Sequence, residues 1–385
     1  DLLPAWSELS LVLGQRGALP LLLLTLLWVT LTSAQRGHRA LFERVPFKPE
    51  HFIMAREALF WRTRLAPSLL AALLALLLSL GALKGLSSPP ASLTALSVGQ
   101  GDATLLLNGE GEAALFDAGP RWGGRAVREA LLKRGVRRLE WVALSHLHPD
   151  HYEGLLTLLD HHEGGALEVG QVIYHGRALL RSSRSDQGGG HPWREVLKRL
   201  KRLNIPLVEA RAWRWRWGGL ELEWALTSPP KQLKENDASL GLIVRPLNST
   251  TQPQLALLSG DLERKGEGRL SAWWAQEGRE RLLLWQADHH GSRTSSQEEA
   301  LRVLRPRVST ISLGAHNRYA FPHPATLSRL EGAGVRWART DLEGHLTLTW
   351  PQKEASGEVS GEVSGQVGAH LGAQLEGEGR GLPLW

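Results

Sequence analysis

The sequence predicts an α/β domain preceded by transmembrane helices, on three observations. Two uncharged, strongly apolar stretches lie near the start of the chain. Beyond residue 89, short apolar strands alternate with helical segments. At the end of one such strand, His146-Leu147-His148-Pro149-Asp150-His151 crowds four potential metal ligands into six residues.

The apolar stretches come first in the chain. Residues 17–35 lie between Arg16 and Arg36, and residues 65–83 between Arg64 and Lys84, with no charge inside either. Each approaches the roughly 20 apolar residues that a helix needs to cross a bilayer. The segment between them carries Arg36, Arg39, Arg44, Lys48, Arg56, Arg62 and Arg64 against Glu43, Glu50 and Glu57. The positive-inside rule puts such a loop in the cytoplasm, so the residues after Lys84 are expected on the far side of the membrane. The chain starts at Asp1 and its one methionine is Met54. That start suggests a fragment with a missing upstream part.

The chain has 385 residues, a formal charge of +6 and no cysteine. Disulfides and thiolate zinc sites are excluded, so any metal must use His, Asp or Glu. The basic balance mildly favours an anionic partner or a membrane surface. Residues 1–88 are expected to form the membrane region, 89–350 the folded domain and 351–385 a tail. The tail is low in complexity, with Ser-Gly-Glu-Val repeated at residues 356–363, and is expected to be disordered.

Within the domain, Ser92–Val98, Ala103–Leu107 and Ala113–Asp117 read as strands, Arg125–Arg134 as a helix and Trp141–Ser145 as a buried strand. Residues 182–190 are polar and glycine-rich, the composition of a loop. Arg211–Leu226 reads as a hairpin turning at Gly218-Gly219. That register sets Arg216 against Glu221 and Arg214 against Glu223, with Trp215 facing Leu222 and Trp213 facing Trp224. The run Trp213-Arg214-Trp215-Arg216-Trp217 also invites a nucleic-acid reading. Cross-strand pairing favours a structural role instead.

The ligand cluster follows the apolar strand Trp141–Leu144, so its side chains sit in a loop and can converge on one point. Histidine and carboxylate together suit zinc or manganese. His146 and His148 can hold one ion, Asp150 and His151 a second. Two later strands end in similar chemistry: Leu255–Leu258 in Ser259-Gly260-Asp261, and Leu282–Trp285 in Asp288-His289-His290-Gly291-Ser292. Asp261 could bridge both ions, and His289 or His290 could complete the second position.

The ordered series resembles a known family. It comprises Ser97-Val98-Gly99-Gln100-Gly101-Asp102-Ala103, Phe116-Asp117-Ala118-Gly119, the His146 cluster, Asn236-Asp237-Ala238-Ser239-Leu240, Ser259-Gly260-Asp261, His289-His290-Gly291-Ser292 and Asn317-x-Tyr319-x-Phe321-Pro322-His323-Pro324. In this order the segments are similar to the metallo-β-lactamase domain of ComEC-type DNA-uptake (competence) proteins. The resemblance covers about Ala91 to Trp350, and the preceding helices are similar to the end of that family's membrane region.

The resemblance implies a four-layer αββα sandwich holding two divalent ions, zinc or manganese. It implies His146, His148, Asp150, His151, Asp261 and His289 as ligands, with His289 preferred over His290. Asp117 corresponds to an outer aspartate that orients the ligand loop. Asn236 and Asp102 are expected close to the centre, and His323 against the scissile phosphate. The first motif starts with Ser97 where the family has Asp. No His stands near Asn236–Ser239, where many relatives of the fold carry a further ligand. His161 and His162 are expected in solvent.

The expected function is hydrolysis of DNA phosphodiesters. Asp150 and His323 would stand at the reaction centre, acting on single strands that enter through an upstream channel region of the same protein. The domain would work with other competence proteins at a bacterial inner membrane, the hydrolase outside the cytoplasm. The alternatives are a DNA-guiding module without turnover, and a hydrolase of another substrate such as a phosphocholine ester or a β-lactam.

Overall fold

The computed structural model describes residues 73–74, 90–175, 192–226, 233–247, 255–350 and 362–365. The expected membrane spans and the 182–190 loop fall outside these residues, apart from Leu73 and Leu74, which are helical. No helix among the described residues is long and apolar enough to cross a membrane. The chain divides into two units, Asp1–Ser88 and Pro89–Trp385. The second unit holds two β-sheets.

Strand side chains alternate between faces, and here both faces are buried. In β3 (Ala113–Phe116), Ala113 and Leu115 enter one core while Ala114 and Phe116 enter another. In β11 (Leu255–Leu258), Leu255 and Leu257 enter a third core and Ala256 and Leu258 the shared one. Two sheets that share a core and are each covered on the outside require helices as the outer layers.

The first sheet runs, in spatial order, β16 (Glu362–Gly365), β15 (Leu346–Trp350), β1 (Ala91–Ala95), β2 (Thr104–Leu107), β3, β4 (Arg138–Ala143), β6 (Val172–Tyr174) and β7 (Leu207–Glu209), with β5 (Glu168–Val169) also on β4. The second runs β14 (Arg336–Arg339), β13 (Val308–Ile311), β12 (Leu282–Gln286), β11, β10 (Gly241–Pro246), β9 (Leu220–Ala225) and β8 (Arg214–Trp217). Helices α1 (Gly124–Lys133), α3 (Gly154–Glu163) and α4 (Pro192–Arg202) cover the first sheet through Val127, Leu131, Leu155, Leu159, Trp193 and Leu200. Helices α5 (Arg264–Gln276), α6 (Glu298–Leu304) and α7 (Pro324–Gly332) cover the second through Leu270, Trp274, Leu301 and Leu330. The product is a mixed α/β sandwich of four layers. Helix α2 (Pro149–Tyr152) is a single turn between β4 and α3, and α8 (Thr340–Glu343) another between β14 and β15.

The hairpin β8–β9 pairs Arg214 with Glu223, Trp215 with Leu222 and Arg216 with Glu221, the register that the Gly218-Gly219 turn predicts. Trp215 and Trp217 pack on Trp141 of the opposite sheet, their ring centroids 6.5 and 5.8 Å from it. These tryptophans therefore close the shared core, while Trp213, ahead of the strand, is 67% exposed. Of the expected tail, Glu362–Gly365 are the described residues, and they pair antiparallel with β15. Without them the first sheet would end on β15, whose outer edge would present unpaired N–H and C=O groups.

Candidate metal centre

The predicted ligands come from strand ends, and parallel pairing brings those ends together. β3, β4 and β6 are parallel, as are β11, β12, β13 and β14. After β4 the chain turns sharply into α2, with His148 as N-cap and Pro149 at the first helical position, where a missing N–H costs nothing. Leu147 is buried in the first core and anchors the turn between the two histidines. Gly260 (φ +62°) follows β11, and a Cβ there would lie 2.7 Å from the Ser145 side chain. Only glycine lets the β11 loop approach the β4 loop so closely. His289 and His290, after β12, both adopt left-handed backbone conformations (φ +49° and +54°). Strain of this kind persists where surrounding contacts over-determine it. Here the His289 N–H donates to the Gly260 carbonyl and the His323 N–H to the Gly291 carbonyl.

His146, His151 and His290 each have one ring nitrogen engaged by protein and the other left open. His151 Nδ1 donates to Asp117 Oδ2 at 2.9 Å, and His290 Nδ1 to the Ser312 carbonyl at 2.9 Å. Ser145 Oγ donates to Asp117 Oδ2 at 2.6 Å and receives His146 Nδ1 at 3.0 Å. Nε2 of His146, His151 and His290 and Oδ1 of Asp261 are all buried without a hydrogen-bond partner. Unsatisfied polar atoms in a core cost about 1–3 kcal/mol each, so four aimed at one space call for a cation.

Asp261 lies between two sets. Its Oδ1 is 3.1 Å from His151 Nε2, without hydrogen-bonding alignment, and 3.7 Å from His290 Nε2. Its Oδ2 is 3.8 Å from His146 Nε2 and 3.7 Å from His289 Nε2. Asp150 Oδ2 closes on His290 Nε2 at 3.4 Å. Donor atoms of His146, His148 and Asp261 lie within 4.8 Å of one another, as do those of Asp102, His151, Asp261 and His290. These separations suit donors that share an ion at bond lengths of about 2.0–2.2 Å, and the residue types fit zinc or manganese. The sequence ranking of the adjacent pair is reversed: His290, not His289, enters the buried group. The left-handed turn points the more buried ring inward and leaves His289 partly exposed beside Glu263 Oε1 at 3.3 Å.

Other predicted residues take supporting places. Asp117 (φ +58°) is fully buried and also accepts the Ser145 N–H at 2.7 Å. Asp102 lies on the Nδ1 side of His290 (3.8 Å) and His151 (4.0 Å) and accepts from Gln286 Nε2 at 2.8 Å. Asn236 Nδ2 lies 3.3 Å from Glu263 Oε1 and 3.5 Å from His289 Nδ1. His323 caps α7, its Nδ1 accepting the Ala325 N–H at 3.1 Å; an accepting Nδ1 leaves Nε2 to carry the hydrogen. In the region where the sequence lacks a further histidine ligand, Ser239 Oγ stands 3.5 Å from His146 Nδ1. His161 and His162 are half-buried rather than in solvent, because His162 Nδ1 accepts the Val169 N–H.

Sequence reasoning missed Ser145, Gln286, Glu235 and Glu263. Glu235 Oε1 accepts the Leu147 N–H at 3.2 Å, and its Oε2 lies 3.7 Å from His148 Nε2. Only Ser145, directly before the cluster, carried a usable signal.

Burial and pairing set the electrostatics. Burial would raise the Asp261 carboxyl, but His151 and His290 hold it well below the ordinary range. For Asp150, too, burial raises and the same histidines outweigh it, so its carboxyl is held down. Burial lowers His290, yet Asp261, Asp102 and Asp150 push it up to about 9. Burial, only partly offset by the two histidines, raises Asp102 to about 6.

Beneath the His289-His290 turn, Asp288 and Glu267 form a buried carboxyl pair. Burial and mutual repulsion raise Asp288 well above its ordinary value, and burial raises Glu267 to about 7. Glu267 accepts the N–H groups of Ser296 and Gln297, and Ser259 Oγ donates to Asp288. The pair holds together by retaining a proton. A raised folded-state value gives stability that is complete below the unfolded value and is lost as pH climbs through the folded one. In chelator, the melting temperature is therefore expected to fall between about pH 4.5 and pH 8, by roughly 5 °C for about 3 kcal/mol. Asp288→Asn, an uncharged mimic of the protonated acid, should flatten that slope in thermal melts. An unchanged slope would refute the shared proton.

Comparison with known proteins agrees with this architecture. The profile described as metallo-beta-lactamase superfamily matches residues 96–228, which hold the His146–His151 cluster. Over these residues the chain is similar to the metallo-beta-lactamase superfamily. Over 273 residues, 70% of the chain and 30% of the relative, it is 28% identical to Recombination protein 2 of Haemophilus influenzae. It is 28% identical to Competence protein ComA of Neisseria gonorrhoeae over 66% of the chain and 32% of that protein. It is 26% identical to ComE operon protein 3 of Bacillus subtilis over 60% of the chain and 27% of that protein. The chain thus spans about a third of the length of these relatives. Asp261 and His290 lie beyond the 96–228 match, but they belong to the same two-sheet sandwich and face its histidine cluster.

Proposed function

We propose that this domain is a two-ion phosphodiesterase acting on single-stranded DNA. The observation that carries the reading is Asp261, whose two carboxylate oxygens each face a different pair of histidine Nε2 atoms. His146 and His148 would hold one ion, Asp150, His151 and His290 the other, with Asp261 shared and His289 beside the first. Two bound divalent ions would supply hydroxide at neutral pH and a Lewis acid for a phosphoryl oxygen.

The chain's own groups set the geometry. Asp117 and Ser145 fix the tautomers of His151 and His146, and the Ser312 carbonyl that of His290. His323 would direct its Nε2–H at a non-bridging phosphate oxygen, stabilising charge that develops in the transition state. DNA as substrate draws support from the relatives named for competence and recombination and from the formal charge of +6. The apolar stretches at 17–35 and 65–83 support a tether to the inner membrane, with an upstream channel region delivering the strand and the domain outside the cytoplasm.

The purified chain with manganese or zinc should cleave single-stranded DNA. The double variant Asp150→Ala, His151→Ala should lose at least about 10³-fold, since several kcal/mol of charge stabilisation disappears. Cleavage no faster than this variant, across several metals, would sink the reading. A second reading has one observation in its favour: the first group contains only His146, His148 and Asp261, with Ser239 where relatives of the fold place a further histidine. On that reading the domain guides DNA without turnover. One ion or none per chain, with DNA binding intact, would select it.

A further inference from the structure

Among the described residues three aromatic side chains are strongly exposed: Trp122, Trp213 and Tyr319. Tyr319 lies in the segment that leads from β13 to His323, and it is the outer member of a ladder of rings. It stacks on Phe321 with centroids 5.5 Å apart and planes inclined by 22°. Phe321 meets His289 edge-on at 5.7 Å. On the solvent side, the Arg318 guanidinium lies 4.9 Å from the Tyr319 centroid and donates to its hydroxyl at 2.8 Å. A continuous path of π-surface therefore runs from solvent to the edge of the metal centre.

The loop is braced so that this ring stays outside. Asn317 Nδ2 donates to the Gly314 and Phe321 carbonyls, and its Oδ1 accepts the Phe321 N–H at 2.9 Å. Gly314 lies flat on Gln100, where a Cβ would come within 2.7 Å of the Gln100 nitrogen. A half-exposed tyrosine held away from any core, stacked from behind and flanked by a guanidinium, is poor at stabilising a fold. It has the elements that single-strand binding sites use: an aromatic face for a base and a cation for the backbone.

We propose that Tyr319, backed by Phe321, is the stacking platform for one nucleobase of a single-stranded nucleic acid whose neighbouring phosphate reaches the metal centre. This rests on the phosphodiesterase reading above and names how its substrate is held. Arg318 is fully exposed and swings from the ring to a phosphate as the base takes its place. Every base presents a π-face, so the platform serves single strands without sequence preference. Paired bases, stacked within a duplex, offer it no free face.

The test is equilibrium binding of a cleavage-resistant phosphorothioate single strand to the metal-loaded chain, followed by fluorescence anisotropy. Tyr319→Ala should weaken binding about tenfold, Tyr319→Trp should restore it, and the alanine effect should vanish on a strand of abasic sites. Arg318→Ala should weaken intact and abasic strands alike. Equal loss on both strands for Tyr319→Ala, or no loss on either, would overturn the platform while leaving the phosphodiesterase reading intact if the wild type still binds and cleaves. A wild-type chain that neither binds nor cleaves single strands would overturn both. Melting temperatures of the two Tyr319 variants matching the wild type would keep loss of fold out of the comparison.

Discussion

Asp261→Ala is expected to strip both ions from the chain and to lower phosphodiester cleavage by about 10³-fold or more. No other side chain among the described residues addresses both sets of donors, since Oδ1 faces His151 and His290 while Oδ2 faces His146 and His289. A single-site variant such as His148→Ala should lose part of the metal at most, because its ring touches only the first group. The contrast distinguishes a shared ligand from a general loss of folding. Elemental analysis of the two variants, alongside their melting curves, reads it directly. Asp261→Ala with undiminished metal would rule out the bridge.

Asp117→Asn carries the second large effect, and it acts through a proton rather than through a lost contact. Asp117 accepts from the Ser145 N–H, the Ser145 hydroxyl and His151 Nδ1. Asparagine tolerates the left-handed backbone at this position, and its carbonyl, set at the Oδ1 position, keeps the Ser145 backbone N–H, which cannot turn away. Its amide must donate where the carboxylate accepted. Facing that amide, His151 puts its hydrogen on Nε2, the atom that points at Asp261, and so loses its value as a ligand. Metal affinity should fall by about 10–100-fold, the usual cost of losing a partner behind a ligand, while the fold survives. Asp117→Ala should add a loss of stability of about 1–3 kcal/mol for each buried donor left unpaired. Metal titration beside thermal denaturation separates the two. Equal affinity for Asp117→Asn and wild type would show that His151 needs no such support.

Some of this centre is legible in the sequence and some is not, for reasons of chain distance. His146 to His151 can be read because a single turn after one strand holds all of it. Asp261 and the His289-His290 pair can be placed because each ends an apolar strand, and parallel strand ends meet. The hairpin register at Gly218-Gly219 can be read because strand periodicity and the turn fix every partner. The choice between His289 and His290 cannot. It depends on two consecutive left-handed residues, and those are set by Gly260 and the 291–323 contact rather than by local sequence.

Long-range approaches are equally hidden. A Cβ on Gly154 would lie 1.9 Å from the Ala118 carbonyl oxygen, and one on Gly101 would lie 2.2 Å from that of Asp150. Gly101 lets the first motif lie against the ligand turn, and Gly154 lets the start of α3 lie against the loop that bears Asp117. Asp237, in the Asn236–Ser239 segment, caps α5 by accepting the Glu263 and Gly266 N–H groups. That ties the segment to the loop that bears Asp261. No spacing in the sequence reports such contacts across 26 and 29 residues.

The central claim is that the buried histidines and carboxylates form one two-ion centre. Native mass spectrometry of the purified wild-type chain, saturated with zinc or manganese and freed of excess metal, counts the ions held. Two per folded chain is the predicted result. A chain that stays folded and holds none, or only one at saturation, would contradict it.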